Sequence, residues 1–153
     1  MITGSEAWGA TLLRAILGVI YVAHGGYALS LGVEAMAGYM PRMGYPAPLG
    51  RWLAWYLLVA HLAGGALILL GLWTRVAALL QVPIMVSAVF LLHFSQGFFL
   101  KVLTVPSAEG SRQIAGGYEY ALLVLVATLA LALLGPGRLA VESLRARHPI
   151  EVP

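Results

Sequence analysis

The sequence WLAWYLLVAHLAGGALILLGL, residues 52–72, contains no Asp, Glu, Lys or Arg over 21 positions. A helix rises about 1.5 Å per residue, so about 20 apolar residues cross the roughly 30 Å hydrocarbon core of a bilayer. Residues 73–75 form a short connection, and a second apolar run begins at Val76. Because so short a connection reverses the chain at once, this stretch predicts two antiparallel membrane-spanning helices.

The composition of the whole chain is typical of an integral membrane protein. Apolar residues make up 61% of the 153 residues and charged residues 10%, whereas soluble domains have about 45–50% and about 25%. We therefore predict an all-α, antiparallel four-helix bundle that forms one domain over residues 1–153. Its membrane spans are predicted at residues 11–31, 52–72, 76–94 and 117–134.

Three segments lie outside the predicted spans. Residues 33–43 are expected to form a short amphipathic segment along the membrane surface, and residues 95–116 a loop or short helix over one mouth of the bundle. Residues 136–153 are predicted to be a basic tail after a Gly-Pro-Gly breaker. Inside the third span, Pro83 is expected to kink the helix and to free a carbonyl group.

Charge and cysteine content limit the classes of partner. The net charge is +3, but the basic residues lie at span ends, where they suit the lipid bilayer's headgroups, so no nucleic-acid role is indicated. The chain has no cysteine, which excludes disulfides, thiolate metal ligands and a thiol relay within it. Basic residues on the side of the termini outnumber those opposite by five to four, which favours cytoplasmic termini in a bacterial or archaeal cytoplasmic membrane.

Ionisable side chains inside the spans identify the candidate site, because such groups are costly at membrane depth. They are His24, His61, His93 and Glu119, one in each span. Counted from the interface on the side of the long loops, His24 and His61 lie roughly 10 and 14 Å deep, and the other two lie within roughly 5 Å. All four belong to one leaflet, which predicts a polar cavity beneath the loops.

Small residues next to His24 and His61 predict that the first two helices approach closely there. A structural interpretation also stands for each ionisable group: a buried imidazole often bonds to a neighbouring helix, His93 can face headgroups, and Glu119 can pair with Arg112. The small residues are Gly25, Gly26, Ala60, Gly64 and Gly65.

Six segments in this order and spacing resemble a known pattern that extends from Leu12 to Arg138. They are His24-Gly25, GYPAP at 44–48, GG at 64–65 with GLWTR at 71–75, LHFSQGFF at 92–99, GGYEYALL at 116–123 and GPGR at 135–138. The chain resembles the DoxX family of small four-span membrane proteins. The resemblance implies a membrane subunit of redox systems, associated with quinone-linked oxidation of sulfur compounds and with oxidative-stress complexes.

Two positions depart from that family pattern. Similar proteins usually have a basic residue soon after the first-span His-Gly, where this chain has YALS at 27–30, and a glutamate in the second span at the place of His61. Imidazole is neutral or cationic near pH 7 and binds metals well. The second change therefore favours a metal or haem site more in this chain than in the family generally.

The first functional hypothesis is a quinone-binding subunit. Reduction of a quinone takes up two protons with two electrons, so His24 or His61 would donate to a carbonyl oxygen, while His93 and Glu119 relay protons and Tyr118 flanks the ring. The chain carries no Rossmann glycine motif or phosphate-binding loop. This hypothesis therefore requires a soluble redox partner protein as the source of electrons.

Two other hypotheses remain open from the sequence. In one, His24 and His61 ligate a b-type haem or a transition metal, and His93 with Glu119 completes a non-haem site. In the other, the protein is a non-enzymatic scaffold or a small-molecule permease. Four spans are few for a monomeric transporter, so the permease would require a homo-oligomer.

Overall fold

The computed structural model describes residues 4–107 and 110–145. Three of its helices are long and apolar enough to cross a membrane, and a fourth apolar helix is shorter. The elements in chain order are α1 (Ser5–Leu31), α2 (Val33–Tyr39), α3 (Ala47–Leu70), α4 (Thr74–Gln96), β1 (Lys101–Ser107), β2 (Gly110–Gly116), α5 (Glu119–Leu134) and α6 (Val141–Arg145).

The four apolar helices α1, α3, α4 and α5 form a closed ring. Helix α1 packs along α3 and α4 along α5, while contacts between α3 and α4 and between α1 and α5 complete the bundle. Short connections make sequential helices antiparallel neighbours. The prediction of an all-α membrane bundle is confirmed, with α1 beginning at Ser5, six residues ahead of the predicted boundary at Thr11.

Glycines let α1 and α3 approach until their backbones touch. A Cβ atom added to Gly18 would lie 2.7 Å from the Leu69 Cα, and one added to Gly25 would lie 3.0 Å from the His61 Cβ. Gly65 makes the reciprocal contact from α3 onto α1. Without a hydrophobic driving force between helices in lipid, such close packing is a main source of helix association. These contacts hold the two histidine-bearing helices together.

Two of the small residues predicted to serve this contact do not. A Cβ atom at Gly26 would meet nothing within 4 Å, and one at Gly64 would meet the Gln81 amide on α4 instead of α1. The prediction is therefore wrong for Gly26 and Gly64, because each lies on a helix face turned away from the α1–α3 seam. Gly18, two turns earlier on α1, makes the closest contact and was not predicted.

Arg14 is buried at the end of the bundle where both termini lie. Its guanidinium donates to the carbonyls of Ile68 and Leu69 in the last turn of α3, and to the Leu139 carbonyl at 3.0 Å. A cation is favourable at a helix C-terminus, where carbonyls lack partners within the helix. The interpretation of Arg14 as a lipid-headgroup anchor is therefore wrong, since its side chain is only 4% exposed.

Residues 101–107 and 110–116 pair as two antiparallel strands, called the hairpin below, so the prediction of a loop or short helix over 95–116 is wrong for most of its described length. The register pairs Lys101 with Gly116 and Leu103 with Ile114. Alternation in the KVLTV run places the apolar Leu103 and Val105 on one face, and β-branched residues favour strands. The hairpin follows α4 and leads into α5 at the loop end of the bundle.

The other connecting segments agree more closely with the predictions. The amphipathic segment at 33–43 is α2 followed by a 3₁₀ turn at Met40–Met43, and Met36 anchors it against α1 and α3. Helix α4 continues through Pro83, and the Tyr56 hydroxyl donates to the Leu80 carbonyl, next to the Leu79 carbonyl whose usual amide donor Pro83 lacks; the kink itself stays a prediction. Within the predicted tail 136–153, residues 146–153, including His148, lie outside the described residues.

Candidate binding site

His24, His61 and His93 line one cavity of about 220 Å³ in the loop-side half of the bundle. The three side chains come from α1, α3 and α4, and α5 contributes Tyr120 and Ala121 to the wall. The structure thus brings together three of the four ionisable groups that the sequence placed in one leaflet. Every spanning helix contributes to the cavity.

His61 is the most deeply enclosed of the three imidazoles, with 7% of the residue exposed. Its ring packs edge-on against Tyr21, with centroids 5.2 Å apart. The Thr128 hydroxyl donates to the Val124 carbonyl at 2.7 Å, so the Tyr21 hydroxyl is the donor in its 2.5 Å bond to Thr128. This chain of bonds fixes Tyr21, and Tyr21 in turn fixes the His61 ring from one side.

Two buried polar atoms at this position, His61 Nδ1 and Gln81 Oε1, make no hydrogen bond of ordinary length to the described residues, although the two side chains lie close enough for a longer interaction with each other. The Gln81 amide nitrogen is used, because it donates to the Ala60 carbonyl at 2.5 Å. His61 lines the cavity while Nδ1 is wholly buried, so the ring edge with Nε2 faces the cavity. An unpaired buried polar atom costs about 1–3 kcal/mol, which is typical of a site retained for binding more than for stability.

The other two histidines have their Nδ1 atoms engaged. His24 Nδ1 lies 2.9 Å from the Ile20 carbonyl, which can only accept, so Nδ1 carries the proton. His93 Nδ1 lies 2.9 Å from Gln96 Oε1, which also accepts from the Gly117 amide at 3.1 Å. His93 Nδ1 is therefore a donor as well. Each ring keeps Nε2, which accepts when the imidazole is neutral and donates when it is cationic.

Glu119 and Tyr118 do not line this cavity. The Glu119 carboxylate accepts from the Leu100 amide at 2.9 Å, and so ties the start of the hairpin to the first turn of α5. Tyr118 stacks on Phe94 with ring centroids 5.3 Å apart. Both belong to the seam between α4, the hairpin and α5, and the Arg112 side chain, the predicted partner of Glu119, lies outside the described side chains.

The described side chains do not support the non-haem metal hypothesis, whereas a bis-histidine haem, which needs only two imidazoles, is disfavoured by the size of the cavity and not by its donors. No group of three His, Asp or Glu side chains in residues 4–107 and 110–145 could hold a metal ion. The cavity of about 220 Å³ is also smaller than the roughly 300–1,000 Å³ of sites for drug-sized ligands, and a haem is at least that large. The sequence placed four candidate ligands in one leaflet, but the Glu119 carboxylate is directed to the hairpin.

A larger apolar groove adjoins the histidine cavity and was not predicted from the sequence. It measures about 570 Å³ and lies between the end of α1, α2 and the following turn, α3 and α4. Its one sequence signal is a stripe of methionines at helical spacing, Met36, Met40 and Met43, on the segment that covers it. The groove and the cavity have four lining residues in common, namely Leu57, Ile84, Ala88 and Leu92.

A packed apolar layer closes the cavity on the side of the termini. Leu17 and Ile68 are at most 1% exposed and belong to one core cluster with Leu131 from α5. Leu17 precedes His24 by seven residues and Ile68 follows His61 by seven, so the layer lies about 10 Å below the imidazoles. The cavity is therefore closed toward the termini, and it shares wall residues with the groove.

Comparison with known proteins supports the resemblance seen in the motifs. The DoxX family model matches residues 9–94, a range that contains the three cavity histidines and excludes Glu119. A protein of Bacillus subtilis (strain 168) named "Putative oxidoreductase CatD" is 26% identical over 134 residues, which are 88% of this chain and 84% of that protein. No solved structure gives a significant match.

Proposed function

Since this chain belongs to the DoxX family, we propose that it is a membrane subunit of a redox system and binds the head group of a quinone between His24, His61 and His93. A redox role is consistent with the name of the Bacillus subtilis relative. The observation that carries the proposal is the convergence of three imidazoles, each from a different helix, on one cavity within the span region.

The chemistry of the cavity suits a small neutral ring with two carbonyl oxygens. None of its lining residues is Asp, Glu, Lys or Arg, so no fixed charge selects for a charged ligand. The Nε2 atoms of His24 and His93 donate to a quinone carbonyl oxygen when the imidazole is cationic and accept from a quinol hydroxyl when it is neutral. A single substituted ring needs less room than the drug-sized ligands that fill about 300–1,000 Å³.

Two-electron reduction of a quinone adds two electrons and two protons, which converts both carbonyl oxygens to hydroxyls. In each protonation an imidazolium N–H bond breaks and an O–H bond forms, and the imidazole then regains a proton from water. The layer of Leu17, Ile68 and Leu131 excludes water on the side of the termini, so protons exchange on the loop side. The electrons come from a soluble redox partner protein, because this chain carries no electron-carrying motif.

The proposal includes an orientation in a bacterial or archaeal cytoplasmic membrane. The termini lie in the cytoplasm, and the loop end with α2 and the hairpin faces outward. The short connection between α3 and α4 on the side of the termini and the longer segments opposite support this arrangement. A quinone bound at the histidines then lies in the outer leaflet and exchanges protons with the outer aqueous phase.

Binding of a short-chain quinone to the purified protein in lipid nanodiscs tests this function. Variants His24→Leu, His61→Leu and His93→Leu are compared with Gln113→Leu, a matched polar-to-apolar change at an exposed hairpin position. We expect saturable binding by the unmodified protein and the control, with a loss of at least about tenfold in affinity for each histidine variant, since one lost hydrogen bond to a charged or polar group is worth about 1.4 kcal/mol or more.

The result that contradicts the proposal is equally specific. If the protein shows no saturable binding, or if the histidine variants bind as well as Gln113→Leu, the cavity is not a quinone site. Retained redox physiology in cells that carry all three histidine variants would then favour the scaffold hypothesis.

A further inference from the structure

The apolar groove beside the histidine cavity has the form of a site for a flexible chain. It is more than twice as large as the cavity, at about 570 Å³ against about 220 Å³. Leu57, Ile84, Ala88 and Leu92 line both spaces, so the two are continuous at this junction. A molecule whose head lies at the histidines therefore has a path for its remaining atoms into the groove.

Three of the five side-chain hydroxyls in the groove wall, those of Tyr45, Tyr56 and Ser87, bond within the protein. The Ser87 hydroxyl donates to the Pro83 carbonyl at 2.8 Å, so the Tyr45 hydroxyl is the donor in its 2.5 Å bond to Ser87. The Tyr56 hydroxyl donates to the Leu80 carbonyl at 2.5 Å. With these donors engaged, the wall presents aromatic faces and aliphatic carbons, and it favours an apolar occupant over a polar one.

The roof of the groove adapts readily to an occupant. Met36, Met40 and Met43 lie on one face of the segment after α1, and unbranched thioether side chains fit ligands of irregular shape. The segment begins after Gly32 and ends at Gly44, both at positive φ. Tyr45, which follows Gly44, fastens this end to α4 through Ser87.

We propose that this groove holds the isoprenoid tail of the quinone whose head group lies among the three histidines. The inference rests on the proposed function and extends it to the class of ligand, a quinone with a tail of at least one or two isoprene units. A phospholipid acyl chain is the competing occupant. Its headgroup would remain at the interface, and such a lipid would use the groove without reaching the histidines.

The expected contribution of the tail to affinity is moderate. The lipid tails from which the isoprenoid comes are as apolar as the groove, so the gain comes from packing contacts and not from transfer out of water. We expect the affinity, corrected for partition into the bilayer, to rise about tenfold between a tailless quinone and one with two isoprene units, which corresponds to about 1.4 kcal/mol.

The experiment measures a series of quinones with one ring and zero to four isoprene units, in nanodiscs. Ala35→Phe fills the groove at α2, away from the cavity lining, and Ala63→Phe makes the same change on the exposed face of α3. The tail dependence should disappear in Ala35→Phe and persist in Ala63→Phe. A quinone with a photoreactive diazirine in its tail should label residues 36–45, and an excess of unlabelled quinone should prevent it.

Two results would overturn the inference while the proposed function stands. One is histidine-dependent binding that does not change with tail length. The other is labelling of residues 36–45 by a diazirine phospholipid that excess quinone leaves unchanged, since the groove would then hold an acyl chain. Failure of the proposed function itself is distinguishable, because the tailless quinone would then bind no more weakly to the His61→Leu variant than to the unmodified protein.

Discussion

Gly18 offers the sharpest test of how the bundle is held together, through the variant Gly18→Ala. The new methyl group would lie 2.7 Å from the Leu69 Cα and 2.8 Å from its amide nitrogen. Both are backbone atoms, so no side-chain rotation relieves the clash, and α1 must move about 0.7 Å to reach an ordinary contact of 3.4 Å. Overpacking of this kind costs about 1–3 kcal/mol.

Gly26 supplies the matched control on the same helix. A Cβ atom there meets nothing within 4 Å, and alanine lowers the conformational entropy of the unfolded chain relative to glycine. Gly26→Ala should therefore stabilise the protein by about 0.4–1 kcal/mol. Both substitutions add one methyl group, and we expect their effects on the free energy of unfolding to have opposite signs.

The assay is reversible unfolding in mixed micelles by titration with sodium dodecyl sulfate, followed by circular dichroism. We expect the free energy of unfolding to fall for Gly18→Ala and to rise for Gly26→Ala, relative to the unmodified protein. Equal effects of the two substitutions, or a more stable Gly18→Ala protein, would refute the conclusion that α1 and α3 are in backbone contact at this point.

Three further predictions concern the site and the orientation. His61→Leu should raise the free energy of unfolding by about 1 kcal/mol because it removes an unpaired buried nitrogen, whereas a purely structural histidine would lose stability in the same titration. Tyr21→Phe should lower the free energy of unfolding by about 1 kcal/mol through loss of the bond to Thr128; no change would mean that this bond does not hold the His61 wall. Because the chain has no cysteine, Thr104→Cys in intact cells should react with a membrane-impermeant maleimide and Ser5→Cys should not; the reverse pattern would invert the orientation.

The position of a side chain along the helix axis was predictable, but the rotation of the helix about that axis was not. The rise per residue sets how far His24, His61 and His93 lie from the interface, and the structure places all three on one cavity. Glu119 has a similar depth to His93, yet its carboxylate binds the Leu100 amide. The sequence of a helix that is apolar on every face, such as α5, has no hydrophobic periodicity that predicts which face is buried.

The functions of Arg14 and of the segment 95–116 were misassigned for a similar reason. Arg14 lies within one turn of a predicted span end, a position that suits either a headgroup or a helix C-terminus, and only the packing of α1 on α3 brings it to the Ile68 carbonyl. In the hairpin, the β-branched residues of KVLTV were a legible strand signal. The strand that pairs with it, residues 110–116, is rich in small and polar residues and therefore has a weaker strand signal.

The amino-acid sequence by itself determined the class of the protein, its four apolar helices and the end of the bundle at which the three histidines lie, because hydropathy and helix rise act along the chain and need no partner. The tertiary structure alone decided which side chains meet. The histidine cavity has walls from four helices and the groove from segments more than 60 positions apart, such as Tyr27 and Leu92. Those contacts depend on the glycine-mediated packing of α1 on α3, which sets the rotation of these two helices. A uniformly apolar span has no hydrophobic periodicity from which that rotation could be predicted.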